Sequence, residues 1–158
     1  MYTLKFTRDV DVSTSTAWEI ISDLEKYAEY APNLSHAKVL EGEGVGLVRR
    51  CGDNRGGEWN ETCVLWEDGH RYSIQVDMSE YPYPFTSMQG TWSVKSGEQG
   101  TQVSMQFEFQ PKFDPPIMGR LIYMIMMRPA FMKIGNKLMG NWETAMHDLQ
   151  KRRSLAVA

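Results

Sequence analysis

At 158 residues the chain has the length of one domain, expected over residues 1–158, and a domain this long buries roughly 70% of the surface its extended chain exposes. Its apolar fraction of 42% and charged fraction of 23% are those of a soluble globular protein, and a net charge of −3 without a basic, aromatic stripe excludes a nucleic-acid partner. The N-terminus does not resemble a signal peptide and the longest apolar run is too short to span a bilayer, so a cytoplasmic protein is expected.

In chain order, Thr3 to Val12 alternates, with Leu4, Phe6, Val10 and Val12 on one face, and reads as a half-buried strand whose inward face Arg8 interrupts. A helix follows, capped by Ser13 or Ser15, with Trp18, Ile21 and Leu24 as its buried stripe. Residues 23–30 read as a second short helix that Pro32 ends, because proline biases its predecessor out of helical geometry. Strands are then predicted at about 36–42, 45–51, 58–67, 70–80, 85–96 and 101–110, separated by turns that carry glycine. Two prolines in Tyr81-Pro82-Tyr83-Pro84-Phe85 cannot both serve a central ladder, so this stretch is placed at a bulge or rim. Cys51 and Cys63 have no metal spacing and read as reduced structural thiols; neither a metal site nor a cofactor is expected.

One long helix closes the chain from Pro116 to Arg153, started by Asp114-Pro115-Pro116, and Pro129 predicts a bend near Met126 to Pro129. Its first piece, Ile117 to Met127, is apolar almost all the way round, which implies apolar surroundings on more than one side. Seven of the eleven methionines lie in this helix, and methionine suits both an uneven core and a ligand of variable shape. From residue 111 to 153 there are eight basic against three acidic residues, a charge of +5, so the remainder carries −8. The simplest meaning is a basic helix lying on an acidic sheet; an anionic membrane surface is the alternative.

The order strand, two helices, six strands, long helix defines an α+β fold: a curved seven-stranded antiparallel sheet wrapped around the C-terminal helix. A sheet of this size curls, and only the last helix is long enough to cover its concave face. Where the two surfaces fail to meet, near Pro129, an apolar cavity is expected.

Several motifs support this reading: Val12-Ser13 followed by Ala17-Trp18, Ser22 to Tyr27 with Ala31-Pro32, and Trp59 on a middle strand. Further along come Pro84-Phe85 with Gly90-Thr91-Trp92, Gly100 to Val103 with Phe107-Glu108-Phe109, and Gly119-Arg120-Leu121. On these residues the chain resembles, from about Thr3 to Arg153, the helix-grip superfamily of START lipid-transfer domains, birch-pollen-type allergens and polyketide cyclase/dehydrase proteins (the SRPBCC, or Bet v 1-like, group). The resemblance implies an apolar ligand held between sheet and helix. Carried onto this sequence, the lining is Tyr72, Tyr83, Phe85, Met88, Trp92, Phe107, Met118, Ile122, Ile125 and Met126.

Catalysis in the polyketide-cyclising branch is thought to rest on positioning a flexible chain, helped by pocket Arg and Tyr residues. Here strand 58–67 has no Arg, and Leu34 stands where that branch can carry Tyr. The polar candidates are Arg49, Glu61 and Tyr72, facing in or out with strand register, and Arg49 with Glu61 is read as a cross-strand ion pair on the outside rather than a buried catalytic pair. Three functions follow. The first is a non-catalytic carrier or sensor for a small hydrophobic ligand such as a lipid, quinone or polyketide-like aromatic. The second is a cyclase/dehydratase-type enzyme resting on Arg49 or Glu61. The third is an interaction module using the apolar start of the last helix, either for a homodimer or for transient membrane contact.

Overall fold

The structure, a computed structural model, describes residues 1–113, 115 and 117–157. The elements are β1 (Tyr2–Val10), α1 (Thr14–Ser22), α2 (Tyr27–Tyr30), β2 (Leu34–Glu41), β3 (Val48–Asp53), β4 (Glu58–Glu67), β5 (Arg71–Val76), β6 (Phe85–Gly97) and β7 (Gly100–Pro111). A helical segment follows in three parts: α3 (Met118–Ile122), a π-turn (Tyr123–Met127) and α4 (Arg128–Val157). The expected start at Asp114-Pro115-Pro116 falls partly outside the described residues.

All seven strands form one antiparallel sheet in the order β1-β7-β6-β5-β4-β3-β2, so the N-terminal strand joins at the far edge beside the last. The alternation in β1 buries Leu4, Phe6 and Val10, and Ser13 caps α1 by accepting from the Thr16 N–H at 3.1 Å. The second helix is shorter than expected. Asp23 accepts from the Lys26 N–H (3.1 Å), a turn that competes with helix until Tyr27. β5 stops at Val76, and residues 77–84 form the rim segment that the two prolines require.

α4 crosses the concave face with Leu138, Met139, Trp142 and Met146 buried beneath it. Gly135 permits the close crossing, since a Cβ there would lie 2.3 Å from the Phe6 ring. Arg8, on the inward face of β1, reaches the helix flank and binds Glu143 at 2.8 Å.

Two expectations for the long helix are corrected. Its first piece is not enclosed: Met118, Leu121, Ile125 and Met126 are exposed, and only Gly119, Tyr123 and Met127 turn toward the protein. Nor does its charge lie on the sheet. Among the described residues its ion pairs are Glu143 with Arg8 and Arg153 with Glu19 of α1, while Lys133, Lys137, Lys151 and Arg152 face water. The irregularity foreseen at Pro129 is present as the π-turn just before it, closed by the Arg128 N–H on the Tyr123 carbonyl.

Candidate functional site: an aromatic cavity with a buried ion pair

Between the sheet and α4 lies a cavity of about 130 Å³, whereas one water needs only roughly 10–15 Å³. Its roof is α4, through Phe131, Ile134, Gly135 and Leu138. Its floor comes from alternate residues of β6 and β7: Met88, Gly90 and Trp92 on one, Met105, Phe107 and Phe109 on the other. Gly90 makes room, because a Cβ at that position would sit 2.3 Å from the Trp92 ring and 3.1 Å from Phe107. Tyr27, Asn33 and Leu34 close one end beside Trp59 and Tyr81.

Into this apolar wall the middle strands place a salt bridge. Arg49 and Glu61 are direct cross-strand partners and are 1% and 8% exposed. The Arg49 guanidinium donates from Nε (2.8 Å) and Nη2 (2.7 Å) to Oε2 of Glu61, and from Nη1 to the Leu24 carbonyl at 3.2 Å. Trp59 Nε1 donates to the other carboxylate oxygen at 2.7 Å, and the Tyr27 ring lies 4.7 Å from the guanidinium carbon. The reading of this pair as an exterior one is therefore overturned. Leu47, Arg49 and Cys51 share the inward face of their stretch, as Trp59, Glu61 and Cys63 share that of β4.

Burial opposes the charge on Arg49, yet Glu61, with Cys51, Tyr72 and Tyr27 behind it, holds the guanidinium above its ordinary range. Burial pushes the Cys51 thiol up to about 12, and the Glu61 charge adds to the rise. Burial also raises the phenols of Tyr27, Tyr72 and Tyr81, so all three stay neutral. The site thus holds one fixed, internally compensated charge pair among neutral aromatics. Each of the three guanidinium nitrogens of Arg49 thus has a partner. The Trp92 indole N–H is buried with no acceptor among the described residues.

Of the residues taken for lining, Met88, Trp92 and Phe107 stand on the cavity wall. Tyr72 lies behind it, stacked between Trp66 (5.6 Å) and Trp92 (5.0 Å), with its hydroxyl donated to the Ile21 carbonyl at 2.6 Å. Phe85 packs edge-on against Phe109 at 5.5 Å, and Tyr83 sits at the rim, donating to Asp53. Met118, Ile122, Ile125 and Met126 are on the solvent side of the helix, away from the cavity. Sequence reasoning missed Tyr27, Trp59, Tyr81 and the α4 residues. The signal for Trp59 was present, since its alternation with Cys63 brackets Glu61 on one face.

A curved antiparallel sheet gripping a long C-terminal helix over an apolar cavity defines the helix-grip, Bet v 1-like class. The chain belongs to the family described as polyketide cyclase / dehydrase and lipid transport, whose pattern matches residues 1–145. Among solved structures it is similar to TTHA0849 from Thermus thermophilus, with a TM-score of 0.74, 18% identity, and coverage of 93% of this chain and 98% of that one. It is also similar to norcoclaurine synthase from Thalictrum flavumn (TM-score 0.68, 13% identity, 93% and 94% coverage). The di-domain ARO/CYC StfQ of the steffimycin biosynthetic pathway matches with a TM-score of 0.73 and 13% identity over 96% of this chain and 51% of its own. At these identities the likeness is one of fold. A search of curated proteins found none that matches the sequence.

Proposed function

We propose that the protein binds a small hydrophobic ligand bearing a polar, oxygen-containing end, such as a quinone, lipid or polyketide-like aromatic, in the cavity under α4. The observation that carries this reading is an aromatic cavity whose wall sets the buried Arg49–Glu61 pair and the indole N–H of Trp92, which has no acceptor among the described residues, among otherwise apolar groups. Apolar walls supply affinity and a few placed polar groups fix orientation. A ligand carbonyl or hydroxyl would satisfy the Trp92 N–H, which otherwise carries a desolvation cost.

The cyclase/dehydratase-type alternative is favoured by the inward position of Arg49 and Glu61, as residues that meet a ligand. Against it, both carboxylate oxygens of Glu61 are engaged by Trp59 and Arg49, which leaves Glu61 holding its neighbour rather than moving a proton. Binding without turnover is therefore the reading the geometry supports best.

Quenching of tryptophan fluorescence by naphthoquinone and by naphthalene tests it, since Trp59 and Trp92 both line the cavity. Saturable binding of the quinone is expected, with Ile134→Trp filling the space and abolishing it. Trp92→Phe keeps an aromatic ring but removes the donor, and is expected to weaken the quinone about 5-fold more than it weakens naphthalene. Absence of saturable binding for both compounds to the wild type defeats the proposal.

A further inference from the structure

The segment before Pro129 is uncovered. Ile117 is 87% exposed, and Met118, Leu121, Met124, Ile125 and Met126 are each between 58% and 68% exposed. Their neighbours Tyr123 and Met127 point the other way and pack on the core, with Tyr123 4.3 Å from the Tyr2 ring. The result is a run of six large, exposed aliphatic side chains within ten residues, where a soluble protein usually shows such groups singly.

Along the helix that carries the ridge, from residue 115 to 142, the charge has one sign. Between residues 115 and 142 the sequence has no Asp or Glu, while Arg120, Arg128, Lys133 and Lys137 are exposed. No ion pair engages any of the four among the described residues. Apolar side chains inserting beside lysine and arginine are the combination that holds a helix in the plane of an anionic lipid surface.

We propose that α3 and the π-turn dock on an anionic lipid bilayer, with the aliphatic ridge entering the headgroup and acyl boundary and these four cations meeting lipid phosphates and carboxylates. A second copy of the chain fits less well, because a two-fold interface would bring two acid-free, positively charged segments together. Phe131 and Ile134, which roof the cavity, follow the docked segment within three turns, so the cavity comes to rest beside the membrane. The proposal does not depend on what the cavity binds.

Co-sedimentation of the full chain with phosphatidylcholine vesicles, with and without phosphatidylserine, is the test. The wild type is expected to partition onto the anionic vesicles and to leave them as salt is raised. Arg120→Gln/Arg128→Gln is expected to weaken that partition roughly 30-fold, and Ile125→Ser/Met126→Ser by at least tenfold. All four positions are exposed, so unchanged thermal unfolding separates loss of docking from loss of fold. Failure of the wild type to bind anionic vesicles overturns the proposal. Equal binding to both vesicle types overturns it too, as does sedimentation showing a dimer that the serine variant dissociates without any vesicle binding.

Discussion

Replacing Arg49 with methionine keeps most of the side-chain volume and removes the charge that Glu61 faces. In the folded protein Glu61 is 8% exposed and then retains the Trp59 N–H at 2.7 Å and the Cys51 thiol beside it, but no cation. Breaking a buried pair on one side costs about 3–5 kcal/mol, because the remaining charge stays desolvated. For a domain of this length that corresponds to a fall of about 6–20 °C in Tm. An exposed cross-strand pair would cost ~1 kcal/mol or less. Urea unfolding with the slope held constant reads the difference directly. A second arm, Arg49→Met/Glu61→Gln, neutralises the stranded carboxylate while leaving Trp59 an acceptor, and is expected to recover about half the loss. A single-variant cost below ~1 kcal/mol, or a double variant no more stable than the single, would refute the claim that the pair is a desolvated unit in the cavity wall.

At the rim, the Tyr83 hydroxyl donates to Asp53, helped by the backbone N–H groups of Gly57 and Arg55, and holds the Asp53 carboxyl below the ordinary 3.8. A depressed carboxyl contributes stability above its unfolded value and loses it as pH falls from about 3.8 through the folded one. Tyr83→Phe is therefore expected to lower stability by about 0.5–1.5 kcal/mol at pH 7. The gap from wild type should close below pH 3.8, and urea midpoints that differ equally at pH 7 and pH 3 contradict this assignment. Gly135→Ala gains about 1 kcal/mol of helix propensity but forces a Cβ to 2.3 Å from the Phe6 ring. Overpacking of about 1–3 kcal/mol makes the net change destabilising; a raised Tm would show that α4 sits farther from β1.

Much of the architecture was legible because it rests on local alternation and turn chemistry. The Leu4, Phe6 and Val10 face of β1, the serine cap of α1 and the rim at Tyr81 to Pro84 all follow from residues near one another. Arg49 and Glu61 misled because charge was weighed above alternation. Their neighbours two positions away are buried, but a charge is expected inside only when its partner's register is known, and register is a tertiary fact.

The last helix misled for a different reason. Apolar residues at 118, 121 and 125 fall in step with 132 and 139 only if one uninterrupted α-helix connects them. The observed inward positions 119, 123, 127, 131 and 135 step by four, wider than 3.6, which is what a π-turn produces. The upstream stripe is thereby turned outward, and Phe131, Ile134 and Leu138 take the place at the cavity that Met118 and Ile125 were expected to fill.

The pairing of β1 with β7 has a consequence during synthesis. Residues 2–10 find their backbone partners only in residues 100–111, so for some ninety residues of elongation the first strand has nothing to pair with. At about 5–20 residues per second the wait is roughly 5–18 s. Leu4, Phe6 and Val10 stay uncovered throughout, and for longer still until α4 emerges to pack on them. Of the seven strands of this sheet, the first to be made is among the last to be placed, and its apolar face waits longest for cover.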